Sequence, residues 1–147
     1  MSTSFRRPES VLVLVYTAAA EVLLLKRLQP VSFWQSVTGS LEVNETPMQA
    51  AHRELYEETG ISGVKITDCN RQNCFEIREP WRPRYAPGVT HNTEHVFQCR
   101  LHSLPASVRM AEDEHSEFRW TTLPQAIAMV GSSTNRDALE MLLESGC

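Results

Sequence analysis

Glu54, Glu57 and Glu58 are spaced i, i+3 and i+4, which on a helix of 3.6 residues per turn places all three carboxylates on one stripe. Left alone, the stripe is unfavourable. Like charges at this spacing repel, and anions in the last turns of a helix oppose its macrodipole, each by a few tenths to about 1 kcal/mol. A solvated face tolerates such penalties, and three glutamates often mean no more than that. A bound cation would instead turn the repulsion into ligation, and oxygen-only carboxylate ligands suit a hard ion, Mg²⁺ or else Mn²⁺, better than zinc. Arg53 adjoins the stripe, with Glu45 and Gly39 upstream of it.

The element that must carry these carboxylates is marked at both ends. Thr46–Pro47–Met48–Gln49 supplies an N-cap, a proline at the first helical position and a glutamine three residues after the cap. Gly60 is the usual residue just past a helix end, so the spacing predicts a helix over 47–59. Around it, Ser10 to Ala18 reads as a buried strand and Glu21 to Arg27 as its hairpin partner across Ala19–Ala20. Leu28 to Gly39 reads as a loop and short strand. Further strands are expected at 64–69, 74–78, 94–101 and 117–121, and closing helices at 124–130 and 135–144. Pro80 to Asn92, rich in Pro and Arg, is a long connection of the kind that seldom persists without a role.

The 147 residues suit one domain, 1–147, with no repeat or low-complexity stretch to divide it. Hydrophobic residues at 41% and charged residues at 22% are ordinary for a globular protein. A net charge of −4 gives no positive field to recruit nucleic acid or an anionic membrane. Any phosphate handled here must therefore be neutralised locally. Arg6 and Arg7 precede an apolar run, but Val11–Leu12–Val13–Leu14–Val15–Tyr16 is β-branched and reads as a strand, not a signal peptide, so a cytoplasmic protein is expected. Cys69, Cys74, Cys99 and Cys147 form no CxxC pair and read as idle thiols. Oligomeric state has no marker in the sequence.

Gly39, five residues, Glu45, seven residues, then Arg53–Glu54–Leu55–Tyr56–Glu57–Glu58–Thr59–Gly60–Ile61 resembles the Nudix signature at all nine specified sites of its 23-residue span. The resemblance implies an α/β Nudix fold, an α/β/α sandwich with a mixed β-sheet, and hydrolysis of a diphosphate linkage in a small phosphorylated molecule. It implies that Glu54, Glu57 and Glu58 are metal ligands and that one of them helps activate the attacking water. It implies that Glu57, Glu58 and Arg53 are catalytic, with Arg53 also pairing with Glu45, while Gly39 permits close packing and Gly60 ends the helix. Asn44 stands where many members have glycine, and Asn is the next-best residue for a left-handed backbone. A fourth acidic ligand outside the signature is expected at Glu114, with Glu112 and Glu117 as alternatives. His115 reads as incidental.

Phe33 to Ser40, Arg84 to Glu94 and Arg6–Arg7–Pro8 are further similar to the branch of the family that splits a pterin triphosphate into a monophosphate and pyrophosphate. Broader action on (deoxy)nucleoside triphosphates or dinucleoside polyphosphates is the alternative. On this likeness Arg6, Arg27 and then Arg7 are candidate triphosphate contacts, arginine being suited to bidentate phosphate binding. Trp34, Phe75, Trp81 or Tyr85 would stack on a flat heterocycle. Thr38, Ser132 and Asn135 are further candidates near the substrate. A non-catalytic binding module is disfavoured because no signature glutamate is missing, and a nucleic-acid-binding protein because no basic stripe is present.

Overall fold

The computed structural model describes residues 5–144. Strands β1 (Glu9–Thr17), β2 (Glu21–Arg27), β3 (Trp34–Gln35) and β4 (Val37–Ser40) lead into helix α1 (Pro47–Thr59). Strand β5 (Thr67–Glu76), a short 3-10 helix (Glu79–Arg84) and strands β6 (His91–Leu101) and β7 (His115–Thr122) follow. Helices α2 (Leu123–Met129) and α3 (Ser133–Glu144) come last. All seven strands share one mixed sheet. β1 runs parallel to β6, from Glu9 opposite Thr93 to Thr17 opposite Leu101, and antiparallel to β2 and β4.

The apolar run in β1 is continuous because the strand is covered on both faces. Val11, Val13 and Val15 join Leu23, Leu25, Phe97 and Cys99 against Ala50, Ala51 and Leu55 of α1. Leu12, Leu14, Val22, Leu24 and Val96 point the other way, against Ala126, Ala138 and Leu139 of α2 and α3. Period-2 alternation thus divides one strand between two cores, giving the expected α/β/α sandwich with a mixed sheet.

Two expectations need correction. The predicted strands 64–69 and 74–78 are one strand, β5, whose pairing with β6 shifts between Asp68 and Arg71. Asn70 takes φ 53°, and its N–H donates to Asp68 Oδ1 at 2.8 Å. A polar run that reads as a break is a bulge in a continuing ladder. The thiols also differ: Cys74 and Cys99 are free, but Cys69 is disulfide-bonded, a pairing that spacing along the chain does not announce. Cys147 lies outside the described residues. Among the described residues no helix is long and apolar enough to cross a membrane.

Candidate active site

Helix α1 is fixed at both ends as its sequence requires. Thr46 Oγ1 accepts from Gln49 N at 3.2 Å, and Gln49 Oε1 accepts from Thr46 N at 2.9 Å. Gly60 closes the helix at φ 78°, its N–H donating to Tyr56 O at 2.8 Å. In the approach loop Asn44 takes the expected left-handed backbone, φ 63°. With its register fixed, the helix presents Glu54 and Glu58 to the interior, at 8% and 1% exposure, and leaves Glu57 at the surface.

Arg53 ties loop to helix. Its Nε and Nη2 donate to the two carboxylate oxygens of Glu45 at 2.7 and 2.8 Å, and Nη2 also donates to Ser40 O at 2.9 Å. Its Nη1 reaches Glu57 at 3.0 Å and also donates to Glu54. The Glu45 pairing is the fork geometry that lysine cannot reproduce. So committed, Arg53 is a positioning residue: it holds β4 to α1 and sets where the glutamates stand. Gly39 contributes by what it lacks. A Cβ there would lie 1.8 Å from Glu54 Oε2, so the missing side chain is the space the Glu54 carboxylate fills.

Glu58 is strongly perturbed. Neither of its oxygens has a hydrogen-bond partner, and burial, with the Glu54 carboxylate beside it, holds its carboxyl well above the usual range. Glu54 is raised for the same first reason. Beside Glu58, at 3.8 Å, stands His115 Nε2. Burial, reinforced by the Arg27 charge, pulls the imidazole down to about 4, so it is neutral at pH 7 and cannot compensate the carboxylate. Strand β7 turns His115 inward, so the side chain read as incidental is buried against Glu58.

Orphaned, buried carboxylate oxygens are what a hard divalent cation would satisfy, and the donor set is all oxygen. Among the described residues no three acidic, His or Cys side chains already stand as a ligand cluster, and Glu57 is paired with Arg53. The buried oxygens of Glu58, with Glu54 beside it and Glu114 near enough to act on its charge, fit such an ion, and Glu57 stands half-exposed on the same helix stripe.

Glu54 and Glu114 border a cavity of about 1250 Å³, and Glu58 lies behind its wall. Arg6, Arg27 and Arg84 enter the same space. Burial and then the charges of Arg84 and Arg6 lower the Arg27 pKa, so the three guanidiniums crowd one another, partly offset by Glu114 and Glu58. A polyanion placed among them would relieve that repulsion. Arg7 also borders the cavity, but its donors are used on Glu9 at 2.9 Å and on the carbonyls of Glu42 and Glu45 at 3.2 Å. It braces the loop before α1.

Phe75, Trp81 and Tyr85 form an aromatic wall of the cavity. Trp34 does not join it. Its ring packs with the α2/α3 layer, below the guanidinium of Arg119 at 5.0 Å. Its neighbour Phe33 lines the cavity instead, edge-on to Trp81 at 6.4 Å. Thr38 borders the cavity with its hydroxyl donated to Val11 O at 2.8 Å. Ser132 borders it too, capping α3 through Asn135 N. The Asn135 side chain is committed to Ser36, accepting from its N–H at 2.9 Å and donating to its hydroxyl at 3.0 Å. Glu112 and Glu117 stay outside, Glu117 pairing with Arg119 at 2.9 Å. Phe33, Arg84, Asn92 and Glu94 lie in the two stretches whose likeness bears on the substrate, although none of the four is singled out there as a site residue. For Arg84 and Asn92 the density of Pro and Arg in 80–92 was a second signal.

Known proteins resemble the chain along nearly its whole length. The family described as NUDIX domain matches residues 6–142. Dihydroneopterin triphosphate diphosphatase of Escherichia coli (strain K12) is 43% identical over 144 residues, 95% of this chain and 94% of that protein. The protein of the same name from Haemophilus influenzae is 38% identical over 95% of this chain and 89% of its own length. The solved structure of the E. coli dihydroneopterin triphosphate pyrophosphohydrolase superposes with a TM-score of 0.86 at 41% identity, covering 95% of this chain and 97% of that one. A C. elegans Ap4A hydrolase in a binary complex, 22% identical with a TM-score of 0.72 over 92% of this chain and 94% of its own, shares the fold.

Proposed function

The chain belongs to the Nudix family, and from that premise we propose that it is a pyrophosphohydrolase converting dihydroneopterin triphosphate to the monophosphate and pyrophosphate. One observation supports this reading above the rest. Glu54 of α1, Glu114 and the guanidiniums of Arg6, Arg27 and Arg84 border a single cavity that Phe75, Trp81 and Tyr85 also line, with Glu58 buried one helical turn beyond Glu54. Such a cavity suits a triphosphate joined to a flat ring.

Nudix hydrolases generally use divalent metal ions. We assign Mg²⁺ here, with Mn²⁺ as substitute, held by Glu54, Glu57, Glu58 and Glu114. When bound, such an ion neutralises charge on the phosphoryl oxygens and lowers the pKa of coordinated water. The chain's own residues do the rest. Arg27, Arg6 and Arg84 hold the triphosphate and stabilise charge building on it. Arg53 acts through the glutamates, fixing Glu54 and Glu57 against loop and strand. Glu57 and Glu58 are the candidates to take up the proton of the attacking water, Glu58 being buried beside the neutral His115. No covalent enzyme intermediate is needed, because phosphoryl transfer of this kind runs on positioning and electrostatics.

A small free molecule, rather than nucleic acid or a membrane, suits the net charge of −4, and we place the enzyme in the cytoplasm. The test is Mg²⁺-dependent hydrolysis of dihydroneopterin triphosphate beside dATP, GTP and a dinucleoside polyphosphate, with products identified. Highest kcat/KM on the pterin with pyrophosphate released is expected. Faster turnover of a nucleotide would overturn the substrate assignment while keeping the hydrolytic chemistry.

A further inference from the structure

Two polar side chains border the cavity with no place in the chemistry described above. Asn92 and Glu94 are alternate residues of β6, so they share a face, and they are only 3% and 5% exposed. Asn92 Nδ2 donates to Ser10 Oγ at 2.7 Å, while its Oδ1 is buried without a partner. Glu94 accepts from Asn73 Nδ2 at 3.3 Å and is eased further by the Thr134 hydroxyl. A carboxylate offers about four lone-pair sites, so acceptor capacity remains. Among the described residues no Lys, Arg or His pairs with it. A buried carboxylate and an orphaned amide carbonyl are costly to keep unless something else brings N–H donors.

Strand register says where such donors would come from. Ser40, Ser10, Glu94 and Asn73 are successive partners across β4, β1, β6 and β5. Glu94 therefore lies two strand spacings, roughly 10 Å, from β4, where Gly39 packs against Glu54 and Ser40 O accepts from Arg53. Phe75, opposite Asn92 on β5, stands beside the pair as a ring wall. We propose that Glu94 and Asn92 form the subsite that reads the heterocycle, selecting an edge with adjacent amide and amino N–H donors, the 2-amino-4-oxo-pyrimidine edge. The two donors meet Glu94 as a fork meets a carboxylate, and the Asn92 carbonyl is left for a third N–H. A 6-amino-purine offers one donor beside a ring-nitrogen acceptor, which sets lone pair against lone pair. The subsite rests on the reading of the cavity as a pocket for a triphosphate carrying a flat ring.

The experiment compares kcat/KM for dihydroneopterin triphosphate, GTP and dATP in the wild type and in Glu94→Gln. Expected is a drop of about 10- to 100-fold on the first two and little change on dATP. An equal drop on all three substrates would make Glu94 a structural residue, and no drop would remove it from the pocket. Either result overturns the subsite even if the wild type prefers the pterin. Conversely, a wild type that prefers GTP, with the preference lost in Glu94→Gln, keeps the subsite and defeats the substrate assignment. Should the variant fail to fold, neopterin fluorescence titration on the wild-type protein decides. Displacement by guanosine but not adenosine supports the subsite, and equal displacement refutes it.

Discussion

Gly39→Ala separates packing from chemistry at one atom. The added Cβ would lie 1.8 Å from Glu54 Oε2, 2.2 Å from Cδ and 2.8 Å from Cγ, all closer than atoms can approach. Gly39 does not have a positive φ, so alanine meets no backbone strain and the clash is the whole effect. Overpacking a tight site costs about 1–3 kcal/mol. Here the cost should sit near the lower bound, because the obstructing atoms end a flexible side chain that can rotate away. For a domain of this size, about 1 kcal/mol moves Tm by only ~2–4 °C. Activity should suffer far more. The rotation that relieves the clash takes Glu54 from the cavity, and removing one preorganised group of this kind costs about 10²–10³ in kcat. Thermal melts and Mg²⁺-titrated hydrolysis on Gly39→Ala, Glu54→Ala and the double variant make the measurement. The double variant should melt like Glu54→Ala alone and be no less active, since the clash disappears with its partner. A Gly39→Ala enzyme with wild-type kcat, or strictly additive losses in the double variant, would refute the reasoning.

Arg27→Ala should lower kcat/KM on the triphosphate by about 10- to 100-fold, chiefly through KM, as expected for loss of a charge-assisted hydrogen bond. An unchanged KM would place the guanidinium outside the phosphate path. Trp34→Ala should lower Tm and leave KM alone, because the ring lies in the α2/α3 layer; a raised KM with an unchanged melt would return it to the pocket. Glu94 gives a pH signature. Burial raises its folded pKa above the ordinary 4.5, so its contribution to stability is present below that value and fades as pH rises through the raised one. Melts of Glu94→Gln should accordingly fall less between pH 4.5 and neutrality than those of the wild type, and parallel curves would contradict the shift.

Local chemistry was legible in the sequence wherever a feature closes within a few residues. Thr46, Pro47, Gln49 and Gly60 specify the helix by satisfying its end groups, Asn44 specifies a left-handed turn, and the 3.6-residue period then dictates that Glu54 and Glu58 face one way. The alternation in β1 likewise implies a strand covered on both faces. What the tertiary structure alone decided is which groups become neighbours across long spans of chain. A two-residue strand has too little period to say whether Phe33 or Trp34 faces the cavity, and packing against Val130 and Arg119 turned Trp34 away. Arg7 and Arg84 differ in role because the carbonyls of Glu42 and Glu45 occupy the first, whereas the second is left among like charges. Asn135 is used on Ser36, 99 residues distant. Glu94 lies beside Ser10 only because β1 and β6 pair in parallel. Burial and partner supply set the charge state and availability of each group, and both are properties of the assembled sheet, not of any window along the chain.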